Sequence, residues 1–357
     1  MMPARVLILA PELNEFAGIG AVSAQVARAV GASGNVQVEV LTLYPSSVAG
    51  VAARSAQGSK VRLVRSIMGL ASGSCGGMLV VAMHVHFAPL ALPLVKRGAT
   101  LAVFLHGIEA WRPLSRVRAA GLKRAAKLIA NSRFTAEAFR RANPAFADRD
   151  INVCHLGARE LCVPGAGVGL QPGFALTVGR MVQAERYKGH DVLLELWPEV
   201  LKRTGGRLCI VGDGDDRERL ERKAAKLRRG ESVTFLGAAN DALLAAAYRD
   251  CAFFLMPSAG EGFGLVYAEA MAAGKPCIAG NGAAREIVQH GVDGFVVDPA
   301  DRAELFGAVV RLFSEPDLRA TMGERAKVHA QRFTEAAFAE RIRAALGIEQ
   351  AVSACAG

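Results

Sequence analysis

Two glutamates, Glu261 and Glu269, carry carboxylates at a spacing that could serve catalysis or ligand binding. Glu261 lies in a Gly-rich loop that follows a predicted strand, at the mouth of a helix expected to open at Phe263 or Gly264, and Glu269 lies two turns inside that helix. If the span were helical, eight residues would separate the two by about 12 Å. Glycosidase carboxylates lie ~5–9.5 Å apart, so the pair does not indicate a hydrolase dyad. It could instead accept hydrogen bonds from hydroxyls on two parts of one long ligand.

The same segment could bind a phosphate. The amides of Phe263, Gly264 and Leu265 lie at the predicted positive end of the helix, where an anion is stabilised. The alternative is a plain helix N-cap followed by a surface glutamate. The apolar residues that surround Glu269 argue against a surface position for it.

Two cations, Arg180 and Lys188, follow the first predicted strand of the second half of the chain, each beside a glycine. An arginine fork and a lysine point charge at one strand end suit a diphosphate. The alternative is an ordinary solvated loop.

A histidine and an acid, His106 and Glu109, follow a buried strand in the first half. Ligands of open α/β sheets bind at the carboxyl ends of strands, so both are candidates for substrate contact. His84 and His86 are interpreted as structural residues that line a strand end.

Two Gly-rich turns lie near predicted helices: Gly18-Ile-Gly20 before a helix over Val22–Ala29, and Gly212-Asp-Gly214 after a strand. Neither completes the dinucleotide fingerprint, because the third glycine is absent. The first turn is a candidate loop for close approach to a phosphate.

Continuous apolar runs alternate with amphipathic stretches along the whole chain, which indicates parallel strands covered on both faces and an α/β class. The predicted strands are Val6–Ala10, Val38–Leu43, Met78–His86, Thr100–His106, Leu128–Asn131, Ile151–His155, Ala175–Val178, Arg207–Val211, Val233–Leu236, Ala252–Met256, Pro276–Ala279 and Gly294–Val297. The predicted helices include Thr135–Ala142, His190–Arg203, Arg217–Arg229 and Phe263–Ala273.

A Gly/Pro-rich segment over residues 163–173 predicts a linker between two domains. We expect an N-terminal Rossmann-like domain over residues 1–165 and a C-terminal one over residues 174–333. Helices from residue 334 to the end are expected to close back on the first domain.

The charge is unevenly distributed. The chain carries a net charge of +10, and residues 1–165 hold 19 Lys and Arg against 8 Asp and Glu. Part of this excess lies in the stretch from Arg112 to Lys127. It is either a solvated helix face or a surface that attracts anionic lipid or an anionic acceptor. Sparse aromatic residues, 6% of the chain, argue against nucleic acid.

Seven scattered cysteines without metal-ligand spacing predict neither a disulfide framework nor a zinc site, and favour a reducing cytosolic compartment. The apolar run Val6–Ala10 is too short for a secretory signal. The uncharged stretch Ser66–Val95 has the length of a membrane span. Its histidines, prolines and Gly/Ser cluster instead indicate a loop, a buried strand and a short helix. We therefore expect a cytoplasmic protein, at most peripheral at the inner face of the cell membrane.

Taken together, these motifs resemble the retaining nucleotide-sugar glycosyltransferases of family 4, which have the two-domain GT-B fold. The resemblance covers nearly the whole chain and is more specific in the second half. It rests on the Glu261/Glu269 pair, Gly179-Arg180 with Lys188-Gly189, Val211–Gly214, Phe235–Gly237, His106–Glu109, and Asn131-Ser132 with Thr135-Ala-Glu137. Two departures are Ala17 before Gly18 and Asn281 before Gly282, where the family often has glycine pairs.

The resemblance implies two Rossmann-like domains facing across a cleft, and catalysis without a metal or other cofactor. Arg180 and Lys188 would neutralise the departing diphosphate, helped by the amides of Phe263–Leu265 and the Gly18–Gly20 loop. Glu269 would hold the ribose, and Glu261 the sugar hydroxyls. His106 would contact the sugar near its reacting face. The base would lie near Leu236 and Gly237, with Asn240 and Asp241 beside it.

The expected reaction moves a hexose from a nucleotide-diphosphate sugar, in its UDP or GDP form, to a hydroxyl acceptor. The expected acceptor is a lipid-linked or cell-surface glycan intermediate of polysaccharide biosynthesis. Two alternatives stay open: a sugar-nucleotide epimerase of the same fold, and a nucleotide-sugar-binding protein without catalysis.

Overall fold

The computed structural model describes residues 5–15, 18–34, 36–161, 167–227 and 232–348. The chain divides into two compact units. The first consists of the described residues up to Gly157 together with those from Glu335 onward, and the second is Ala158–Thr334. Residues 163–166 of the predicted linker, and residue Ala17 of the first Gly-rich turn, lie outside the described residues.

The first unit contains a seven-stranded parallel sheet with the order β3-β2-β1-β4-β5-β6-β7. Its strands are β1 (Arg5–Ala10), β2 (Gln37–Thr42), β3 (Ala53–Ser55), β4 (Met78–Ala82), β5 (Thr100–Leu105), β6 (Lys127–Ala130) and β7 (Asn152–Val153). The strand order reverses between β1 and β4, which makes the carboxyl edge there the expected place for a ligand.

The α-helices among the described residues of this unit are α1 (Gly18–Gly31), α2 (Lys60–Leu70), α3 (Leu92–Lys96), α4 (Arg116–Lys123), α5 (Arg133–Ala142) and, from the last part of the described chain, α12 (Glu335–Leu346). Helix α12 is tied to the earlier elements by polar contacts. Arg343 Nη1 donates to the carbonyl of Ala29 at 3.2 Å, and Lys127 Nζ donates to that of Ala345 at 2.9 Å.

The second unit contains a six-stranded parallel sheet with the order β10-β9-β8-β11-β12-β13. Its strands are β8 (Ala175–Val178), β9 (Leu208–Val211), β10 (Val233–Gly237), β11 (Phe253–Met256), β12 (Cys277–Ala279) and β13 (Gly294–Val296). Its helices are α6 (His190–Thr204), α7 (Arg217–Ala225), α8 (Asp241–Asp250), α9 (Leu265–Ala272), α10 (Arg302–Ser314) and α11 (Pro316–Ala330). The order reverses between β8 and β11, so their carboxyl ends flank the switch point of this sheet.

The central strands of both sheets are buried on both faces, as their continuous apolar sequences predict. Every residue of β4, β9 and β11 is buried. Burying one Val, Leu or Ile side chain stabilises a fold by about 1.5–3 kcal/mol, so these strands form rigid platforms for the loops at their ends. The α/β class predicted from the sequence is confirmed.

Several predicted boundaries are wrong. The prediction that Gly18 and Gly20 precede a helix fails because α1 begins at Gly18, so both glycines lie in its first turn. The strand predicted over Met78–His86 ends at Ala82. Residues 66–70, predicted as loop, belong to α2, because Ser59 caps that helix and Leu63 and Ile67 bury one face of it. Helix α9 begins at Leu265, one or two residues later than predicted.

The five described cysteines are buried and unpaired: Cys75, Cys154, Cys209, Cys251 and Cys277. Cys162 and Cys355 lie outside the described residues. Within the described ranges, no helix is both long enough and apolar enough to cross a membrane.

Candidate functional site

The loop after β8 carries Arg180 and is fixed by two glycines of the next βα turn. A side chain on Gly212 would place its Cβ 2.0 Å from the carbonyl oxygen of Gly179, and one on Gly214 would lie 2.2 Å from that of Met181. Both glycines also have a positive φ. The Gly212-Asp-Gly214 turn therefore packs directly on the backbone around Arg180 and sets its position.

Lys188 and Glu261 meet at the carboxyl edge of the second sheet. Lys188 Nζ donates to Glu261 Oε1 at 3.0 Å, and both side chains are largely buried. Gly189 allows this approach, since it has φ +87 and a Cβ there would lie 2.6 Å from the carbonyl oxygen of Pro257. Loops that follow β8 and β11 are thereby brought together at the switch point.

Glu185 lies between the two predicted cations. Its Oε1 accepts from Arg180 Nη2, and its Oε2 is 4.0 Å from Lys188 Nζ. The Arg180 side chain is 68% exposed, whereas that of Glu185 is 15% exposed. Two cations and two carboxylates therefore balance each other here, and Arg180 is the member most open to solvent.

An ion-pair network holds the turn that carries Lys188. Arg186 and Arg219 both form two-point hydrogen bonds to the buried carboxylate of Asp216. Arg219 also bonds Asp191 at 2.8 and 2.6 Å. Arg219 and Arg186 hold the pKa of Asp216 well below its usual range, and Arg219 together with Lys223 lowers that of Asp191 to about 2. The network links the turn to α6 and α7.

The residues predicted to bind phosphate lie at the start of α9. Gly264 is the N-cap residue of this helix, with φ +95, and Leu265 is its first residue. Phe263 is buried and packs edge-on against Phe333, with ring centroids 5.8 Å apart. The aromatic ring anchors the loop, so the backbone amides that follow it are held in a fixed direction.

Glu269 is buried inside α9, as its apolar neighbours predict. Tyr248 Oη donates to its Oε2 at 3.0 Å, and Arg159 Nε lies 3.9 Å from its Oε1. Arg159 Nη1 also donates to Asp241 Oδ1 at 2.9 Å. Burial raises the pKa of Glu269, while Arg159 and the Tyr248 hydrogen bond oppose this.

The remaining residues predicted near the base occupy the end of β10 and the start of α8. Leu236 and Gly237 end the strand, and Gly237 has φ +72 with Arg217 packed against it. Asn240 caps α8, its Oδ1 accepting from the Leu243 amide at 2.9 Å. Asp241 follows it and joins this group to Glu269 through Arg159.

In the first unit, His106 and Glu109 follow β5. His106 is buried; its Nε2 lies 2.9 Å from the carbonyl oxygen of Met83, so Nε2 carries the proton and Nδ1 is the acceptor. Burial lowers the pKa of His106, which favours the neutral ring. Glu109 Oε1 accepts from the amides of His106 and Gly107 at 2.7 and 3.1 Å, so this carboxylate shapes the turn that presents the histidine.

The two glycines of the first Gly-rich turn are required for different structural reasons. Gly18 has φ +68 and open space where a Cβ would lie. A Cβ on Gly20 would lie 2.2 Å from Asn14 Nδ2. Gly20 therefore permits close packing of the chain between β1 and α1, and Gly18 permits the backbone turn.

His84 caps a short 3-10 turn, its Nδ1 accepting from the His86 amide at 3.1 Å. Burial lowers the pKa of His84 to about 4, so the ring is neutral at physiological pH. This geometry agrees with the structural interpretation of His84. Burial lowers the pKa of His86, and the positive charges of Arg118 and Lys60 lower it further against the opposing charge of Glu109.

Helix α2 presents an exposed apolar stripe bordered by cations. Val61, Val64 and Met68, at helical spacing, are 68%, 43% and 52% exposed. The exposed basic residues Lys60, Arg62 and Arg65 flank them, and the helix contains no acidic residue. In α4, Val117 is also exposed, between Arg116 and Arg118. We call the outward faces of α2 and α4 the basic-apolar surface.

The structure therefore brings the predicted residues of the second unit into two groups: Arg180, Lys188 and Glu261, and Asp241 with Glu269. Sequence reasoning missed Arg159, Glu185, Tyr248 and α2. Glu185 could have been found as an acid between the two cations. Arg159 and Tyr248 carry no local signal, because they reach Glu269 only through the fold.

Residues 173–315 match the family model described as Glycosyl transferases group 1. A D-inositol 3-phosphate glycosyltransferase of Nocardia farcinica is 34% identical over 278 residues, which cover 70% of this chain and 60% of the relative. A GDP-mannose-dependent alpha-(1-6)-phosphatidylinositol monomannoside mannosyltransferase of Mycobacterium tuberculosis is 39% identical over 145 residues, 38% of each chain. The match thus spans less than two thirds of the length of these relatives.

A solved structure of the Anabaena protein HepE in complex with UDP superposes with a TM-score of 0.75 at 21% identity, covering 96% of this chain and 99% of that one. A likeness at this identity shows the fold. The chain therefore has the GT-B fold, and its residues 173–315 are similar to the glycosyl transferases group 1 family.

Proposed function

We propose that this protein is a retaining, metal-independent glycosyltransferase that moves a hexose from a nucleotide-diphosphate sugar to a hydroxyl acceptor. The observation that carries the proposal is the contact of Lys188 with Glu261 a few residues before α9, with Arg180 joined to them through Glu185, inside the segment that matches the family model. Cations beside oriented amides stabilise the charge that develops on a departing diphosphate.

Donor binding uses the balanced charges at this edge. Arg180, which is exposed, turns from Glu185 to the diphosphate, and Lys188 keeps its bond to Glu261 while its other two N–H groups remain donors. Glu261 is thus held by Lys188 where it can accept from the sugar hydroxyls. No divalent cation is needed, because the arginine and lysine supply the positive charge.

His106 receives a role from its tautomer. With the Nε2 proton committed to the Met83 carbonyl, Nδ1 is an acceptor, suited to a sugar hydroxyl. A neutral ring is required for this, and burial of His106 favours it. Glu109 acts through the turn that holds the histidine rather than by reaching the sugar itself.

We propose further that the acceptor is a lipid-linked or otherwise anionic glycan intermediate met at a membrane. The basic-apolar surface supports this, since an apolar stripe flanked by Lys and Arg binds an anionic interface. The mycobacterial relative is named for a phosphatidylinositol monomannoside, which fits an acceptor of this class. A soluble acceptor with a merely solvated basic helix is the alternative.

The test is a turnover assay with UDP- and GDP-hexoses, each with and without phosphatidylinositol-containing vesicles or soluble inositol phosphate. Nucleoside diphosphate released only with acceptor, and a product anomer matching the donor, support the proposal. Interconversion of the donor sugar without acceptor would identify an epimerase. Donor binding without any turnover would identify a binding protein.

A further inference from the structure

Arg159 contacts two residues that are predicted to lie at the nucleoside of the donor, Asp241 and Glu269. It precedes the second domain's sheet, yet its guanidinium lies between Asp241 at the start of α8 and Glu269 in α9. We propose that Arg159 is a positioning residue for donor recognition: it orients the Glu269 carboxylate toward the ribose hydroxyls. This inference rests on the proposed function, because it assumes that the donor is a nucleotide.

The two distances around Arg159 differ in kind. Arg159 Nη1 and Asp241 Oδ1, 2.9 Å apart, form a charge-assisted hydrogen bond that fixes the guanidinium plane. Arg159 Nε and Glu269 Oε1, 3.9 Å apart, attract each other without a hydrogen bond. Oε1 therefore keeps its capacity to accept from a ligand hydroxyl while it feels a nearby positive charge.

Tyr248 fixes the other oxygen. Its hydroxyl donates to Glu269 Oε2 at 3.0 Å, and the tyrosine itself is fully buried. Glu269 is thus held on one side by α8 and on the other by Arg159. Glu269 Oε2 accepts the hydrogen bond from Tyr248, whereas Oε1 lies near the positive charge of Arg159 and can still accept a hydrogen bond.

A buried carboxyl prefers the neutral form unless a cation faces it. The groups that act on Glu269 are Arg159 and the Tyr248 hydroxyl, which lower its pKa, and Asp241, which raises it; burial prevails and the pKa is raised. A protonated Glu269 is a poorer acceptor for ribose hydroxyls. Removal of Arg159 therefore raises the pKa of Glu269 further. When the pH is lowered, the variant should lose donor affinity at a higher pH than the natural protein does.

The decisive experiment measures binding rather than turnover. UDP and GDP are titrated against the full chain by calorimetry, and the one that binds is compared with its 2′,3′-dideoxy form. In the natural protein we expect the loss of both hydroxyls to weaken binding by about 10- to 100-fold, as for hydrogen bonds to a charged group. In Arg159→Gln that ratio should fall to about threefold or less.

Two further variants make the result specific. Arg159→Lys keeps the charge and should retain the pH dependence of the natural protein. Arg302→Gln removes an arginine from an exposed ion pair with Glu199 and should leave both the ratio and the pH profile unchanged.

The outcomes separate this inference from the proposed function. If neither diphosphate binds the natural protein, the proposed function fails and takes this inference with it. If one binds and Arg159→Gln keeps the full hydroxyl ratio and the natural pH profile, Arg159 is only structural and the inference is overturned. A lowered melting temperature alone, with the ratio intact, overturns it equally.

Discussion

The carboxyl edge of the second sheet and the outward faces of α2 and α4 in the first unit are built differently. At the edge, the loops carry charges that are paired and mostly buried, such as Lys188 with Glu261 and Arg219 with Asp216. The two helices leave cations and apolar side chains exposed, as at Arg62 and Val61 in α2. The edge is organised before a ligand arrives, whereas the helices offer a surface.

This difference follows from what the edge and the helix faces would each have to recognise. A diphosphate sugar has fixed charges and hydroxyls, and preorganised groups bind its transition state without reorganisation. A lipid-linked acceptor lies in a fluid interface, for which a cationic and apolar face is sufficient. Damage to the carboxyl edge of the second sheet should impair chemistry, and damage to the helix faces should reduce encounter with the acceptor.

The largest expected effect is on turnover. Arg180→Ala and Lys188→Ala should each lower kcat by about 10²–10³-fold, by analogy with the loss of one oxyanion donor. Steady-state kinetics at saturating donor would measure this, with circular dichroism to verify folding. Arg302→Gln, on an exposed ion pair, is the matched control. Near-natural turnover of both alanine variants would contradict the assignment of the donor edge.

Next in size is the stability of the donor edge. Asp216→Asn leaves Arg186 and Arg219 without their shared carboxylate and should lower the free energy of unfolding by about 3 kcal/mol at pH 7. The folded-state pKa of Asp216 is depressed, so its contribution is fully present above about pH 4, the unfolded value, and is lost progressively as the pH falls from there to the folded value. Denaturant titrations at pH 7 and pH 3 would compare the two proteins.

The difference between Asp216→Asn and the natural protein should therefore shrink as the pH is lowered. Glu315→Gln, which removes an exposed partner of Arg311, provides a control and should change stability by less than about 1 kcal/mol. An equal loss at both pH values would show that the carboxylate charge is not what stabilises the turn.

These two predictions concern residues that the sequence revealed to different degrees. Arg180, Lys188 and Glu261 follow strands in the sequence, and parallel strands end at one edge, so their meeting was predictable. Asp216 has no such signal, because its partners lie on a neighbouring turn and helix. Arg159 is separated from Asp241 by 82 positions and meets it only in the folded unit.

Helix boundaries show the same limit. The glycines at 18 and 20 suggested a loop, yet α1 begins at Gly18. The positive φ of Gly18 and the close packing of Gly20 against Asn14 arise only in the folded protein, so the sequence did not indicate where the helix begins. The α/β pattern itself was predictable, because buried parallel strands are continuous apolar runs. The predicted domain boundaries at residues 165 and 173 and the roles of the site residues stay predictions.

A smaller effect is expected at the membrane. Each Lys or Arg near an anionic leaflet contributes about 1 kcal/mol. The double variant Arg116→Glu with Lys123→Glu, and likewise Arg62→Glu with Arg65→Glu, should therefore lower binding to anionic vesicles by at least about 30-fold. Co-sedimentation with anionic and neutral vesicles measures this, and added salt should weaken it, since the Debye length is ~8 Å at physiological salt.

The control for the surface is Arg222→Glu in α7 of the second unit, which is exposed but lies on a helix rich in both charges. Because Arg222 is paired with Glu218 on an exposed face, this variant should leave vesicle binding within about twofold of the natural value. Equally little protein pulled down by anionic and neutral vesicles at low salt would refute the membrane part of the proposal.

Metal removal is expected to have the smallest effect. Turnover should change by less than about twofold, whereas a tenfold change would correspond to about 1.4 kcal/mol in the activation free energy. A divalent cation would stabilise the leaving diphosphate by Lewis-acid charge, and here Arg180 and Lys188 hold the place where that charge is needed. Excess EDTA should therefore leave kcat unchanged in the natural protein.

Lys188→Ala offers the sharper comparison: if Mg²⁺ restores part of its lost turnover, the lysine and the metal are interchangeable sources of charge. Loss of natural activity on chelation, restored by Mg²⁺ or Mn²⁺, would instead show that the two cations of the donor edge do not suffice.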